Sequence, residues 1–316
     1  MSLSRDQWRV VYAGCAAVLL FVAGELVRPG FASAGGIESV LVVASFVGFV
    51  AAGQMFVILI GGIDLSVPWV LNAAAIVMVT TTGGSNSRLL LGLAATLGAG
   101  AAVGVVNGIG VAAFRVPAVV MTLAMNGIME GLTLGLSSGM TCEACAAYAP
   151  PLIQDAVHGH LLGVPAVLYV WLVVILLVSL ALSVTTFGRA TYAVGNSARV
   201  SYLAGVRVGT VTVALYALSG VFSALAGIML VGFGGQASLG MGDPYLFQSI
   251  AAVVIGGVYI LGGRGTYLGV VAGSVTLVAL VSVLLALNMP DYGRSIVYGV
   301  IILGLLLAYG REEEER

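Results

Sequence analysis

The chain has 316 residues, of which 60% are hydrophobic and only 8% charged, with a formal net charge of -1 and a mean hydropathy of +1.13. This composition excludes a soluble globular protein and points to an all-α, polytopic integral membrane helical bundle. All 12 basic residues are Arg, and without a basic run or net positive charge the chain offers no surface for nucleic acid.

A hydrocarbon layer of about 30 Å takes roughly 20 helical residues per crossing. In chain order, the apolar runs predict about ten transmembrane helices, at 11–27, 39–60, 66–81, 89–113, 118–137, 166–184, 210–232, 246–262, 267–287 and 295–309. These make residues 1–316 a single transmembrane domain with no room for a soluble one. The first run has a second reading as a cleaved signal peptide, since Arg5 and Arg9 precede it and Ala32-Ser33-Ala34 follows. Glu25, Arg28 and Pro29, between the run and that cut, argue against it. The third run follows Gly61-Gly62, contains Pro68 and is short, so a broken or tilted helix is expected there.

Arginine placement sets the orientation. With the N-terminus inside, the inner side receives Arg5, Arg9, Arg115, Arg189, Arg199, Arg207, Arg264, Arg311 and Arg316, and the outer side Arg28, Arg88 and Arg294. That bias predicts cytoplasmic N- and C-termini, a cytoplasmic connection at 185–209 and an extracytoplasmic loop at 138–165. The loop holds Cys142 and Cys145, which either form a disulfide or remain two thiols. One C-x-x-C lacks the second ligand pair of a structural zinc site, and His158 and His160 do not supply it, so no metal site is expected. Glu312 to Glu315 read as a solvated inner tail.

Three ladders of glycines recur once per helical turn: Gly100, Gly104, Gly108; Gly127, Gly131, Gly135; and Gly265, Gly269, Gly273. Small residues let membrane helices approach closely, so each ladder predicts a tight helix contact rather than contact with a solute.

Polar groups inside apolar runs are costly and mark either a pathway or bonds between helices. The candidates for a substrate pathway are Gln54, Asp64, Asn72, Asn107, Asn126, Glu130 and Gln248, with Gln236 a further polar residue. Neutral donors and acceptors suit a polyhydroxylated solute. Asp64, in Gly61-Gly62-Ile63-Asp64-Leu65-Ser66-Val67-Pro68, either faces a cavity or caps the third crossing. Glu130, between Gly127 and Gly131, either pairs with an Arg or backbone donor or meets cargo.

The longest polar connection is TTFGRATYAVGNSARVSYLAGVRVG at 185–209. Asn196 or Ser197 is placed to cap a short helix through Tyr202 and Leu203, which Gly205 would end. Such a helix suits docking to a partner, and a bare surface loop is the other reading. The sequence has no G-x-x-x-x-G-K-[ST] loop and no Lys at all, so it carries no ATPase site of its own. Without a nucleophile elbow, a catalytic dyad or a metal-ligand cluster, no catalytic residue is expected and an enzyme is not indicated.

Four stretches, read together, carry a resemblance: FVAAGQMFVILIGGIDLSV at 49–67, NGIGVAAFRVPAVVMTL at 107–123, AVGNSARVSYLAGV at 193–206 and SIAAVVIGGVYILGGRGTYLGVVAGS at 249–274. The chain resembles the permease subunits of ATP-binding cassette importers for ribose, xylose, galactose and autoinducer-2. The resemblance implies a bacterial cytoplasmic (inner) membrane protein that works as a homo- or heterodimer with a second permease copy. It also implies two cytoplasmic ATPase subunits and a periplasmic or lipid-anchored solute-binding protein. ATP and Mg would sit on the ATPase, and this chain would bind no cofactor. The 193–206 segment would be the coupling helix, with Asn196, Ala198, Arg199, Tyr202, Leu203 and Gly205 meeting the ATPase. The sequence departs from the family pattern at Pro68, where a glycine is usual, at Glu130, where an Arg is usual, and at Leu246 and Gln248, where acids are usual; the coupling segment lacks the usual Glu-Ala pair. The solute is therefore open among a sugar, a nucleoside, a polyol and an autoinducer, and a stand-alone secondary transporter or channel is the alternative from another class.

Overall fold

A computed structural model describes residues 5–137 and 148–314, so the Cys142–Cys145 pair lies outside the described residues. In chain order the helices are α1 (Arg5–Val27), α2 (Ala34–Ile58), α3 (Val67–Thr82), α4 (Leu89–Ala112), α5 (Ala118–Leu136), α6 (Pro151–His158), α7 (Ala166–Val184), α8 (Thr186–Asn196), α9 (Ala198–Leu203), α10 (Val208–Gly234), α11 (Tyr245–Ile255), α12 (Tyr267–Ala286) and α13 (Asp291–Glu314). A two-residue antiparallel hairpin, His160–Leu161 with Val164–Pro165, joins α6 to α7. Each expected apolar run falls on a helix. Among the described residues seven helices are long and apolar enough to cross a membrane, while α3 and α11 are shorter apolar helices. The protein is an all-α polytopic membrane bundle.

Burial orders the bundle from its centre outward. The membrane window of α2 is 83% buried and that of α10 61%, against 17% for both α1 and α5. Phe46, Phe49, Met55, Phe56 and Ile58 of α2 and Leu215, Tyr216 and Ile228 of α10 fill this centre. With no water to drive association inside a bilayer, close packing of small residues must supply much of the adhesion. On α4 it does. A Cβ on Gly100, Gly104 or Gly108 would stand 2.4, 2.1 and 2.6 Å from Gly220 O, Tyr216 O and Val213 Cα of α10, so only glycine permits this approach. α1 lies on α12, where Thr276 Oγ1 donates to Ala13 O at 2.8 Å.

Three expectations change. The crossing expected at 246–262 stops at Ile255, because Gly257 (φ +80°) leaves the helical region and Gly262, Gly263 and Gly265 also hold positive φ. Residues 256–266 are consequently irregular backbone. Gly265, placed in a ladder with Gly269 and Gly273, lies in that segment before α12; only the latter two pack against α11, facing Gly256 and Ala252. The α5 ladder, Gly127, Gly131 and Gly135, has nothing within 4 Å of any of its would-be Cβ positions. It makes no close contact among the described residues.

The break between α2 and α3 is as expected. Leu59 to Ser66 leave the helix, Gly61 adopts φ +76°, and α3 starts with Pro68 in its first turn, where a missing N–H costs nothing.

Candidate functional site: a capped surface helix and its seat

The 185–209 connection folds into two helices where the sequence suggested one. Thr185 caps α8 by accepting from Gly188 N at 3.1 Å. Ser197 ends α8 in extended backbone and at once caps α9, its Oγ accepting from Val200 N at 3.3 Å. At the far end Gly205 N donates to Tyr202 O and Val206 N to Ser201 O, both at 3.0 Å, with Gly205 at φ +85°. This is the paired-bond stop that a left-handed glycine allows. Of the two candidate caps, Asn196 and Ser197, the helix uses Ser197, and it ends at Gly205 as expected.

What α9 presents is unusual for a lone surface helix. Val200, Tyr202 and Leu203 are 63%, 71% and 77% exposed, with Ala198 and Arg199 also exposed and only Ser201 buried. The whole connection contains Arg189, Arg199 and Arg207 and no acid. Exposed large apolar side chains beside charges of one sign mark a surface that meets another protein or the membrane. Asn196, Ala198, Arg199, Tyr202, Leu203 and Gly205 are brought together here.

α8 seats this helix on the bundle. Tyr192 OH donates to Gly265 O at 2.7 Å, and Asn196 Nδ2 donates to Tyr192 O at 2.8 Å and to Gly263 O at 3.4 Å. Gly263 N donates in turn to Leu59 O at 2.8 Å. Gly195 makes the approach possible: a Cβ there would stand 1.9 Å from Leu59 O and 2.5 Å from Gly263 N. Tyr192, Gly195 and Gly263 were not singled out from the sequence. Gly195 and Gly263 lie in two of the recognisable stretches, and Tyr192 lies just outside one of them.

The polar residues proposed for a pathway do not form one cluster. Asp64 is 2% exposed and accepts from Ser66 N at 2.9 Å, Ser66 Oγ at 2.6 Å and Ser219 Oγ of α10 at 2.7 Å. Asn107 of α4 joins it by donating to Ser66 Oγ at 2.9 Å, leaving its own Oδ1 unpartnered. Asn126 and Glu130 lie one turn apart on α5, both partly exposed. Asn72 accepts from Gly242 N at 2.9 Å, pinning the loop before α11, and Gln248 donates to Tyr298 OH of α13 at 3.1 Å. Gln54 is fully buried in α2 with neither amide atom partnered. Asp243, in the loop pinned by Asn72, has its carboxyl raised above the ordinary range by burial and, second, by the Glu130 carboxylate. Among the described residues no group of three or more His, Cys, Asp or Glu is placed to hold a metal.

The geometry is that of a helical membrane bundle with an exposed, capped surface helix. The comparisons give the family. Residues 36–306 match the profile described as the branched-chain amino acid transport system / permease component. The chain belongs to this family and is the membrane permease subunit of an ATP-binding cassette importer, a multi-pass protein of the bacterial inner membrane and a transport subunit rather than an enzyme. It is 31% identical to the ribose import permease protein of Escherichia coli strain K12 over 97% of this chain and 95% of that one. It is 30% identical to the autoinducer 2 import system permease protein of E. coli, over 96% and 87% of the two chains. Against the L-arabinose transporter permease protein of Azospirillum brasilense the identity is 28%, over 95% and 87%. No solved structure matches the chain.

Proposed function

We propose that this permease moves a sugar or similar small polar solute inward by alternating access, powered by a cytoplasmic ATPase that docks on α8 and α9. The exposed, arginine-flanked apolar surface of α9 carries the reading, since no described residue covers Val200, Tyr202 and Leu203. A partner cleft that is apolar at its floor and acidic at its rim would complement it. ATP must bind one conformation of the assembly better than the other to bias which side is open. A solute-binding protein outside delivers cargo, and a second permease copy, identical or different, completes the assembly. ATP and Mg belong to the ATPase, and this chain takes no cofactor of its own.

The relatives' names make ribose, L-arabinose and autoinducer-2 the first solutes to try. The neutral amides Gln54, Asn72, Asn107, Asn126 and Gln248 suit hydroxyl-rich cargo, and Asp64 and Glu130 complete the proposed pathway set. The test is ATP-driven uptake into proteoliposomes holding the permease, its ATPase and its binding protein. Arg199→Glu, which reverses a charge on the docking face, and Gly205→Trp, which strains the left-handed stop, should each abolish uptake and ATPase co-purification while the permease stays folded. Uptake that persists without any ATPase would overturn the reading and leave a channel or secondary transporter.

A further inference from the structure

The eight residues from Leu59 to Ser66 belong to no helix, yet they touch five separate parts of the bundle. At their inner end, Leu59 O accepts from Gly263 N at 2.8 Å and is crowded by Gly195 of α8 so closely that no side chain fits between. Next, Gly61 and Gly62 leave room for Leu261 O and Tyr216 OH, where Cβ atoms would stand 3.1 and 2.7 Å away. At the far end, Asp64 is bonded to Ser219 of α10 and Ser66 to Asn107 of α4. Thr122 of α5 also holds the segment: its Oγ1 accepts from Leu65 N at 3.0 Å, and its one proton is shared between Ala118 O of its own helix at 2.9 Å and Ile63 O at 3.2 Å.

These contacts have two different characters. Those to α8 and the 256–266 segment are backbone to backbone with no side chain to absorb a displacement, so a movement of α8 pushes directly on Leu59. That to α10 is a buried carboxylate with its Ser219 donor and that to α4 a buried bond from Asn107 to Ser66 Oγ, and both resist being pulled apart because the groups would be left unpaired. A segment pushed at Leu59 and pinned at Asp64 and Ser66 bends at Ile60 to Ile63, and Thr122 of α5 bears on Ile63 and Leu65, the two residues that flank the Asp64 pin. α5 is also the least buried of the pathway helices and carries Asn126 and Glu130 one and two turns beyond Thr122.

We propose that residues 59–66 are the transmission segment of this permease, carrying displacement of α8 and α9 to α5 through the Gly195–Leu59–Gly263 joint and the hydroxyl of Thr122. The proposal rests on the reading of α8 and α9 as the ATPase-docking helices. It gives the Gly-Gly-Ile-Asp-Leu-Ser stretch a mechanical task, with Gly195, Gly263 and Thr122 as positioning residues. Two of the recognisable stretches, at 49–67 and 249–274, then meet in space because both are parts of one joint.

The experiment uses the tagged permease with the ATPase that co-purifies from native membranes, in a background of Cys15→Ser, Cys142→Ser and Cys145→Ser. Leu134→Cys, one turn beyond Glu130 on α5, reports movement through its rate of labelling by a membrane-impermeant maleimide. That rate is compared without nucleotide and with Mg-ATP plus orthovanadate, and it should change about tenfold, a typical size for coupling between two sites. Thr122→Val is nearly isosteric and removes only the hydroxyl, so ATPase binding and ATP hydrolysis should stay as they were while the response falls below about twofold. Thr122→Ser, which keeps the hydroxyl, should restore it. An undiminished nucleotide response in Thr122→Val overturns the proposal. Absence of any co-purifying ATPase, or of any response in the unmodified segment, overturns the docking reading and the proposal together.

Discussion

The glycines of α4 and of α5 repeat with the same spacing but meet opposite surroundings. Gly100, Gly104 and Gly108 lie against the α10 backbone so closely that a single methyl would collide, whereas Gly127, Gly131 and Gly135 face open space. A small-residue ladder therefore states that a helix face is smooth, without stating what covers it. On α4 the smooth face makes the centre of the fold. On α5 it leaves a helix that, among the described residues, packs chiefly against α3 and α4.

The sharpest way to break this comparison is to add the same bulk to both ladders. Gly104→Val should be the most damaging change, since its Cβ would start 2.1 Å from Tyr216 O and overpacking costs about 1–3 kcal/mol or more. Loss of the folded monomer from detergent on size-exclusion chromatography would show it. A smaller loss is expected for Ser219→Ala on the same α4–α10 side. It removes one of three donors to a buried carboxylate, at a cost of about 1–3 kcal/mol, visible as a lower thermal midpoint. Ser197→Ala should cost about 1 kcal/mol locally, because it leaves the α9 N-terminus uncapped, and hydrogen exchange at Val200 would rise. Gly131→Val should leave the thermal midpoint of the monomer within roughly 0.5 kcal/mol of the original, as expected for a site that touches nothing.

The smallest effect concerns protons. A carboxyl whose pKa is raised in the folded state holds its proton more firmly there than in the unfolded chain, so Asp243 favours folding more at low pH. This contribution is lost as pH rises from the ordinary aspartate value through the raised one. Glu130→Gln removes the charge that supplies the second cause and should narrow that window from its upper end. Thermal midpoints of the two proteins across the acidic range would converge at low pH and separate above it, and identical profiles would deny any communication between α5 and the α10–α11 loop.

Much of the architecture is legible in the chain because apolar run length and punctuation are local properties. Gly61-Gly62 and Pro68 mark the α2–α3 break, and Ser197 and Gly205 mark both ends of α9. The end of α11 was missed because Val258, Tyr259, Ile260 and Leu261 continue the apolar run after the backbone has already turned at Gly257. Hydropathy does not register that turn. α8 went unseen for the opposite reason: its residues are too polar to read as a crossing, and it is held by Tyr192 and Asn196 bonding to a loop about 70 residues away. Greater separations, 136 residues from Leu59 to Gly195 and 204 to Gly263, hid the joint among these three. Asp64 was read as facing a cavity or capping a helix, and the structure bonds it to Ser66 beside it and to Ser219 of α10, with Asn107 of α4 reaching the cluster only through Ser66.

The most direct test of the account is to ask what touches α9 in the cell. A photo-cross-linking amino acid in place of Tyr202, which is 71% exposed, would be activated in native membranes and its adducts identified by mass spectrometry. The account predicts a covalent adduct with an ATPase carrying Walker motifs, lost when Gly205→Trp is added. Adducts with lipid alone, or an ATPase adduct unaffected by Gly205→Trp, would contradict it.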